Sequence, residues 1–229
     1  MMTTPTLIAH RGDAQRHPEN SLAALASALE NGVRHVECDL QVNASGTLVV
    51  LHDADLERTH QLKLSVFDHV DGREPQLPTA QEVLALAAQY PDSTFFFEIK
   101  HDTIDHWGDD HVLEKLKPLL ASIGRHVLLG SSAAFMAQAR RAGFPKIGVI
   151  LREWSEAVRS QLNTLDPEFL VINIRRVPDG QPLWPGRWRW AVYEVADDAT
   201  AVTWGRRGAE FVISMNAVEL HQQRQARPL

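Results

Sequence analysis

The sequence contains one cysteine, Cys38, so no intrachain disulfide can form and stability has to come from packing. A reducing cytoplasm is the expected location. No stretch approaches the roughly 18 uninterrupted apolar residues of a membrane-spanning helix. Residues 1–6 have neither the basic start nor the apolar run of about 7 to 15 residues of a signal peptide. Export and a membrane span are therefore not expected. Positive charge is also in short supply, with 23 Lys plus Arg against 29 Asp plus Glu and a formal net charge of -6. That balance argues against a chain whose main affinity is for nucleic-acid phosphates or anionic headgroups, so any phosphate bound must be held by local groups. Repeats, low-complexity tracts and linkers are missing too. What remains is 229 residues, 44% hydrophobic and 23% charged, enough for a sizeable core and for one domain over 1–229.

Short apolar runs alternate with segments of helical spacing, the pattern of repeated βα units around a parallel sheet. The spacing predicts strands at 6–10, 34–41, 94–100, 126–129, 146–151, 169–174, 190–195 and 210–214, with a short extra strand at 47–51 after a turn at 44–46. Helices are predicted at 20–31, with Asn20 or Ser21 as N-cap and Gly32 beyond the end, and at 79–90, capped by Thr79. Others fall at 110–122, 133–142, 155–162, 198–207 and 217–225. Between 175 and 188 stand Pro178, Gly180, Pro182, Pro185 and Gly186, too many breakers for a helix, so the sixth crossover reads as a loop. Eight strands with crossovers in this length favour a single-domain (β/α)8 TIM barrel.

In such a barrel the carboxyl ends of the strands form the mouth where active sites lie. The first strand ends in His10, followed by Arg11 and Gly12. In the second, Glu37 and Asp39 share one face while Val36, Cys38 and Leu40 share the other; in the third, Glu98 and Lys100 oppose Phe95, Phe97 and Ile99. Inward charges are costly unless they serve each other or a ligand. Glu37, Asp39 and Glu98 would converge as three carboxylates, whose repulsion a hard divalent cation, Mg2+ or Ca2+, relieves most simply. His10 and His52 are the histidines placed for proton transfer, since imidazole titrates near neutral pH without special tuning. Three carboxylates, one divalent ion, Arg11, Lys100 and a phosphodiester together carry no net charge, which suggests that such an anion completes the site.

These residues resemble the glycerophosphodiester phosphodiesterase family, through His10-Arg11-Gly12, Pro18-Glu19-Asn20-Ser21, Glu37-Cys38-Asp39, His52-Asp53 with Leu56-Glu57-Arg58-Thr59, and Glu98-Ile99-Lys100. The match is dense over about the first 100 residues and diffuse afterwards. The resemblance implies a TIM barrel with Glu37, Asp39 and Glu98 as ligands of one divalent cation, His10 and His52 as acid/base pair, and Arg11 and Lys100 as phosphate contacts. Glu19 is expected to support them. The implied reaction cleaves a small-molecule glycerophosphodiester to an alcohol and glycerol 3-phosphate, by the glycerol hydroxyl attacking first or by direct attack of water.

The later strands depart from the family. Tyr193-Glu194-Val195-Ala196 stands where Trp or Tyr with Thr-Val-Asn is usual, and Ser214-Met215 where Thr-Asp is usual. The insertion after the second strand is shorter than in relatives, which leaves headgroup preference open. Two further readings follow. One is a lysophospholipase D, favoured if Trp184, Trp188 and Trp190 form an apolar mouth; the other is a barrel that binds phosphodiesters without turnover. His101 is a candidate substrate contact and Tyr193 a candidate pocket wall, whereas His60, His69, His106, His111 and His126 read as surface or packing histidines.

Overall fold

The structure, a computed structural model, describes residues 4–68, 76–120 and 125–226. The chain runs β1 (Thr6–His10), α1 (Leu22–Glu30), β2 (His35–Val42), β3 (Leu48–Val50), β4 (Asp55–Leu56), α2 (Glu57–His60), β5 (Leu62–Ser65), α3 (Ala80–Ala87) and β6 (Thr94–Ile99). It continues α4 (His101–Trp107), α5 (Asp109–Leu120), β7 (His126–Gly130), α6 (Ala133–Arg141), β8 (Ile147–Leu151), α7 (Glu156–Leu165) and β9 (Phe169–Asn173). The last elements are β10 (Arg189–Tyr193), α8 (Asp198–Arg206), β11 (Phe211–Ser214) and α9 (Ala217–Ala226). Strands β1, β2 and β6 to β11 pair in parallel in chain order, and the β1–β2 pairing closes the ring. This is the expected eight-stranded barrel. β3 adds antiparallel to β2, and β4 and β5 form a separate ribbon.

Side-chain alternation divides the core in two. Ile8, Phe96, Val127, Leu129, Phe169, Val171, Ala191, Phe211 and Ile213 fill the barrel interior. Residues of opposite parity, among them Val36, Cys38, Leu40, Phe95, Phe97 and Ile99, pack against the helices. Burying each large apolar side chain contributes about 1.5–3 kcal/mol. Inward positions at the carboxyl ends of β1, β2 and β6 are instead polar, and that is where the mouth opens.

Helix starts follow their caps: Ser21, Thr79, Ser132, Ser155 and Asp197 each accept a backbone N–H of the first turn. Thr79 and Glu82 complete a capping box. Of the two candidates for the first helix, Ser21 is the N-cap, and Asn20 has another task described below. Gly12 lets that helix come close. Its φ is +80°, and an added Cβ would stand 2.5 Å from the carbonyl carbon of Ala24.

Three local features depart from the sequence reading. The short helix α4 begins directly after β6, where no element was predicted, and Gly108 separates it from α5. The extra elements β4, α2 and β5 occupy the insertion after β3, which carries no long periodic run to announce them. β10 stops at Tyr193 because Glu194 turns to a φ of +68°. His69 and the end of the helix predicted to reach residue 122 lie outside the described residues. The sixth crossover has no α-helix, only a 3₁₀ turn at Ile174–Arg176. Trp184, Trp188 and Trp190 are buried there, with both Trp188 and Trp190 donating to the Trp184 carbonyl at 3.2 and 2.8 Å. Trp154 stacks on Trp184 with centroids 3.8 Å apart. These indoles replace the missing helix as packing, so they do not form an apolar mouth. Among the other histidines, His106 stacks on Phe67, His111 stacks on Trp107 and His126 is buried.

Candidate active site

The carboxyl ends of β1, β2 and β6 bring together the residues singled out in the sequence. Glu37 and Asp39 are almost fully buried, and oxygens of Glu37, Asp39 and Glu98 all lie within 4.8 Å of one another. Glu37 Oε2 accepts from the Arg11 backbone N–H at 3.1 Å, while Glu37 Oε1 is buried without a donor. Lys100 Nζ donates to Glu98 at 2.7 Å and to Asp39 at 3.3 Å, and Arg11 Nε lies 3.2 Å from Asp39.

Burial, with Asp39 and Glu98 close by, pushes the Glu37 carboxyl well above the usual carboxylate range. Burial and Asp39 likewise raise Glu98. Asp39 is buried too, yet Lys100 and Arg11 outweigh that effect and hold it below its ordinary value. A hard cation with oxygen ligands fits this set: it would satisfy the orphaned Glu37 oxygen and relieve the repulsion among the three carboxylates.

His10 lies 3.9 Å from Glu37, and its ring centroid is 6.5 Å from that of Tyr193. Burial, helped by Arg11, pushes the imidazole down to about 4, so the ring is neutral at pH 7. His52 follows β3 and lies in the same cavity. Its Nδ1 is 2.6 Å from Asp53 Oδ1, whose partner oxygen accepts from Arg58 Nε at 2.6 Å. Arg58 also grips Glu19 through both terminal nitrogens, at 3.0 and 2.7 Å, and Glu19 in turn accepts from Arg11 at 2.8 Å. One chain of charge-assisted hydrogen bonds therefore runs from Arg11 through Glu19, Arg58 and Asp53 to His52.

Four supporting residues had no role at the site in the sequence reading. Asn20 holds Asp39 at two points, Asp53 and Arg58 back His52, and buried Gln41 donates to the His52 carbonyl at 3.3 Å while accepting from Thr103 at 2.5 Å. Asn20, Asp53 and Arg58 stand inside quoted motifs. Gln41 continues the inward face of Glu37 and Asp39, which was the available signal.

All seven predicted residues converge, with six of them lining one cavity of about 700 Å³ and Asp39 beneath it. Tyr193 and His101 line it as well; Trp184, Trp188 and Trp190 do not. Groups whose chemistry could bind an anion, hold a cation and exchange protons thus face one space. That is what hydrolysis of a phosphate ester requires.

The chain matches the sequence profile of the Glycerophosphoryl diester phosphodiesterase family over residues 10–138, more than half its length. It is 47% identical over 53 residues to a glycerophosphodiester phosphodiesterase of Caldanaerobacter subterraneus subsp. tengcongensis, covering 23% of this chain and 22% of that one. Identity is 33% over 110 residues to glycerophosphodiester phosphodiesterase 1 of Bos taurus, covering 41% and 33%. The matches span from about a fifth to about a half of the length of such curated relatives. In fold it is similar to a phosphodiesterase of Oleispira antarctica solved in complex with the product sn-glycerol-3-phosphate, with a TM-score of 0.82, 19% identity, and 97% of this chain and 98% of that one covered.

Proposed function

This chain belongs to the glycerophosphoryl diester phosphodiesterase family, and on that premise we propose that it is a metal-dependent hydrolase cleaving glycerophosphodiesters to an alcohol and glycerol 3-phosphate. The observation that carries the reading is the group Glu37, Asp39 and Glu98, the first two buried, with an orphaned oxygen on Glu37, flanked by two cationic side chains and two histidines. The three carboxylates would hold one divalent cation, Mg2+ or Ca2+. When bound, that cation supplies Lewis-acid stabilisation of charge on the phosphoryl oxygens.

The chain's own groups do the rest. Arg11 and Lys100, fixed by Glu19, Asp39 and Glu98, present positive charge to the phosphodiester and stabilise the transition state more than the substrate. His10 and His52 exchange the protons: one accepts from the attacking water, or from the glycerol hydroxyl that forms a cyclic phosphate later opened by water, and the other donates to the departing alcohol oxygen. Asp53 fixes the His52 ring through Nδ1 and leaves Nε2 for that transfer. Cys38, the one thiol, is buried, which suits a reducing cytoplasm. No helix among the described residues is long and apolar enough to cross a membrane.

The test is release of glycerol 3-phosphate from glycerophosphocholine and glycerophosphoethanolamine, with and without chelator, for the native chain, Glu37→Gln and His10→Ala. The expected result is turnover that chelation abolishes and both variants lose while keeping native circular dichroism. A folded native chain inactive with Mg2+, Ca2+ and Mn2+ alike would overturn the reading.

A further inference from the structure

The cavity has two chemically different walls. Carboxylates for the cation, both histidines, Arg11 and Lys100 come from β1, β2, β6 and the segment after β3. The arc contributed by β7, β8 and β9 is apolar at depth, with Leu129, Ile150 and Val171, and bears Arg152 and Arg176 at its rim. Arg152 donates to Ser131 at 3.0 Å, and Arg176 donates to the Arg152 carbonyl at 2.5 Å. These bonds hold both guanidiniums beside the opening. No carboxylate lies within salt-bridge distance of either one among the described residues, although most other arginines of the site are paired. The cavity's peripheral carboxylates Asp55, Asp102 and Glu194 come from β4, α4 and the end of β10, outside this arc.

The charges of a bound phosphodiester, the cation, three carboxylates, Arg11 and Lys100 already balance. The two rim guanidiniums, unpaired by any carboxylate among the described residues, stand beside the opening, where the part of the substrate outside the inner site would lie. They do not suit a quaternary ammonium headgroup, which calls for aromatic faces, and the cavity offers one phenol ring, Tyr193.

We propose that Arg152 and Arg176 form a subsite for the leaving alcohol and select glycerophosphodiesters whose alcohol carries a further anionic group, a phosphomonoester or a carboxylate. The inference rests on the phosphodiesterase reading above and names its substrate class. Planar guanidinium forks bind such groups with paired hydrogen bonds. Because both side chains are exposed, salt weakens the selection.

The experiment compares kcat/KM for glycerophosphoglycerol, glycerophosphocholine and glycerophosphoinositol 4-phosphate, using the native chain, Arg152→Gln, Arg176→Gln and the double variant. At low salt the native chain is expected to favour the phosphomonoester-bearing substrate over glycerophosphoglycerol by about tenfold, and glycerophosphocholine is the poorest. In the double variant that ratio falls to about one, and 0.5 M salt shrinks it in the native chain. Equal efficiency with all three substrates, or an equal loss on all three in the variants, overturns the subsite and leaves the phosphodiesterase reading standing. Turnover of none, by a folded chain supplied with Mg2+, Ca2+ or Mn2+, overturns both.

Discussion

Asn20 grips Asp39 at both ends: its Nδ2 donates to Asp39 Oδ2 at 2.8 Å, and its Oδ1 accepts from the Asp39 backbone N–H at 3.1 Å. Both residues are buried, and Asn20 sits at a φ of +59°, a conformation asparagine tolerates better than most residues. Asn20→Gly keeps that backbone accessible while removing the grip. The expected outcome is about 10- to 100-fold weaker divalent-cation binding by calorimetry, with the fold retained. Unchanged affinity would mean that Asp39 needs no such support.

Arg58 donates hydrogen bonds to both Glu19 and Asp53, and so couples Arg11 to His52. Its own pKa is pushed up, first by the hydrogen bonds to Glu19. Arg58→Ala is expected to lower kcat by about 100-fold, because misplacing a reacting group by about 1 Å costs that much. Arg58→Lys can satisfy one carboxylate and not both, so its kcat should fall between the two. A lysine variant as slow as the alanine one would show that holding both carboxylates together is indispensable, whereas full activity in both would remove Arg58 from the site.

Trp184 stands in for the absent sixth helix, with Trp154 stacked on it and two indole N–H groups on its carbonyl. Trp184→Ala should cost about 3–5 kcal/mol. A thermal or urea melt reads this directly. A loss under 1 kcal/mol would mean that the 177–188 segment packs adequately without it.

Glu168 ties the start of β8 to α6, accepting from both terminal nitrogens of Arg140 and from the Ile147 N–H. Burial works against its ionisation, but these donors win and hold its pKa below the ordinary 4.5. A depressed carboxylate contributes stability that is present above the unfolded-state pKa and lost as pH falls through the folded one. Glu168→Gln should therefore be less stable than the native chain at pH 7, and the gap in urea midpoint should narrow below about pH 4.5. A gap independent of pH would show that packing, not charge, accounts for the loss.

Much of the barrel could be read from periodicity because parallel strands and their crossover helices carry strong, local signals. The inward and outward faces of β2 and β6 followed from alternation alone, and the pairing of these two strands then brings Glu37, Asp39, Glu98 and Lys100 together. Elements such as α4 and the β4–α2–β5 insertion are too short to leave a periodic trace, so their placement had to come from contacts such as Thr103 with Gln41 and Val42.

By itself the sequence determined the succession of the eight barrel strands and their main crossover helices, the helixless sixth crossover and the identity of the charged groups at three strand ends, since each depends on neighbours within a few residues. Tertiary structure alone decided that Asn20 serves Asp39 rather than capping α1, that Arg58 links two carboxylates 34 positions apart, that the tryptophans are buried in the layer outside the barrel strands, and that Arg152 and Arg176 line one cavity with His52. Those relationships arise when the ring closes. Closure brings residues far apart in the chain within hydrogen-bond distance, and no local pattern encodes that distance.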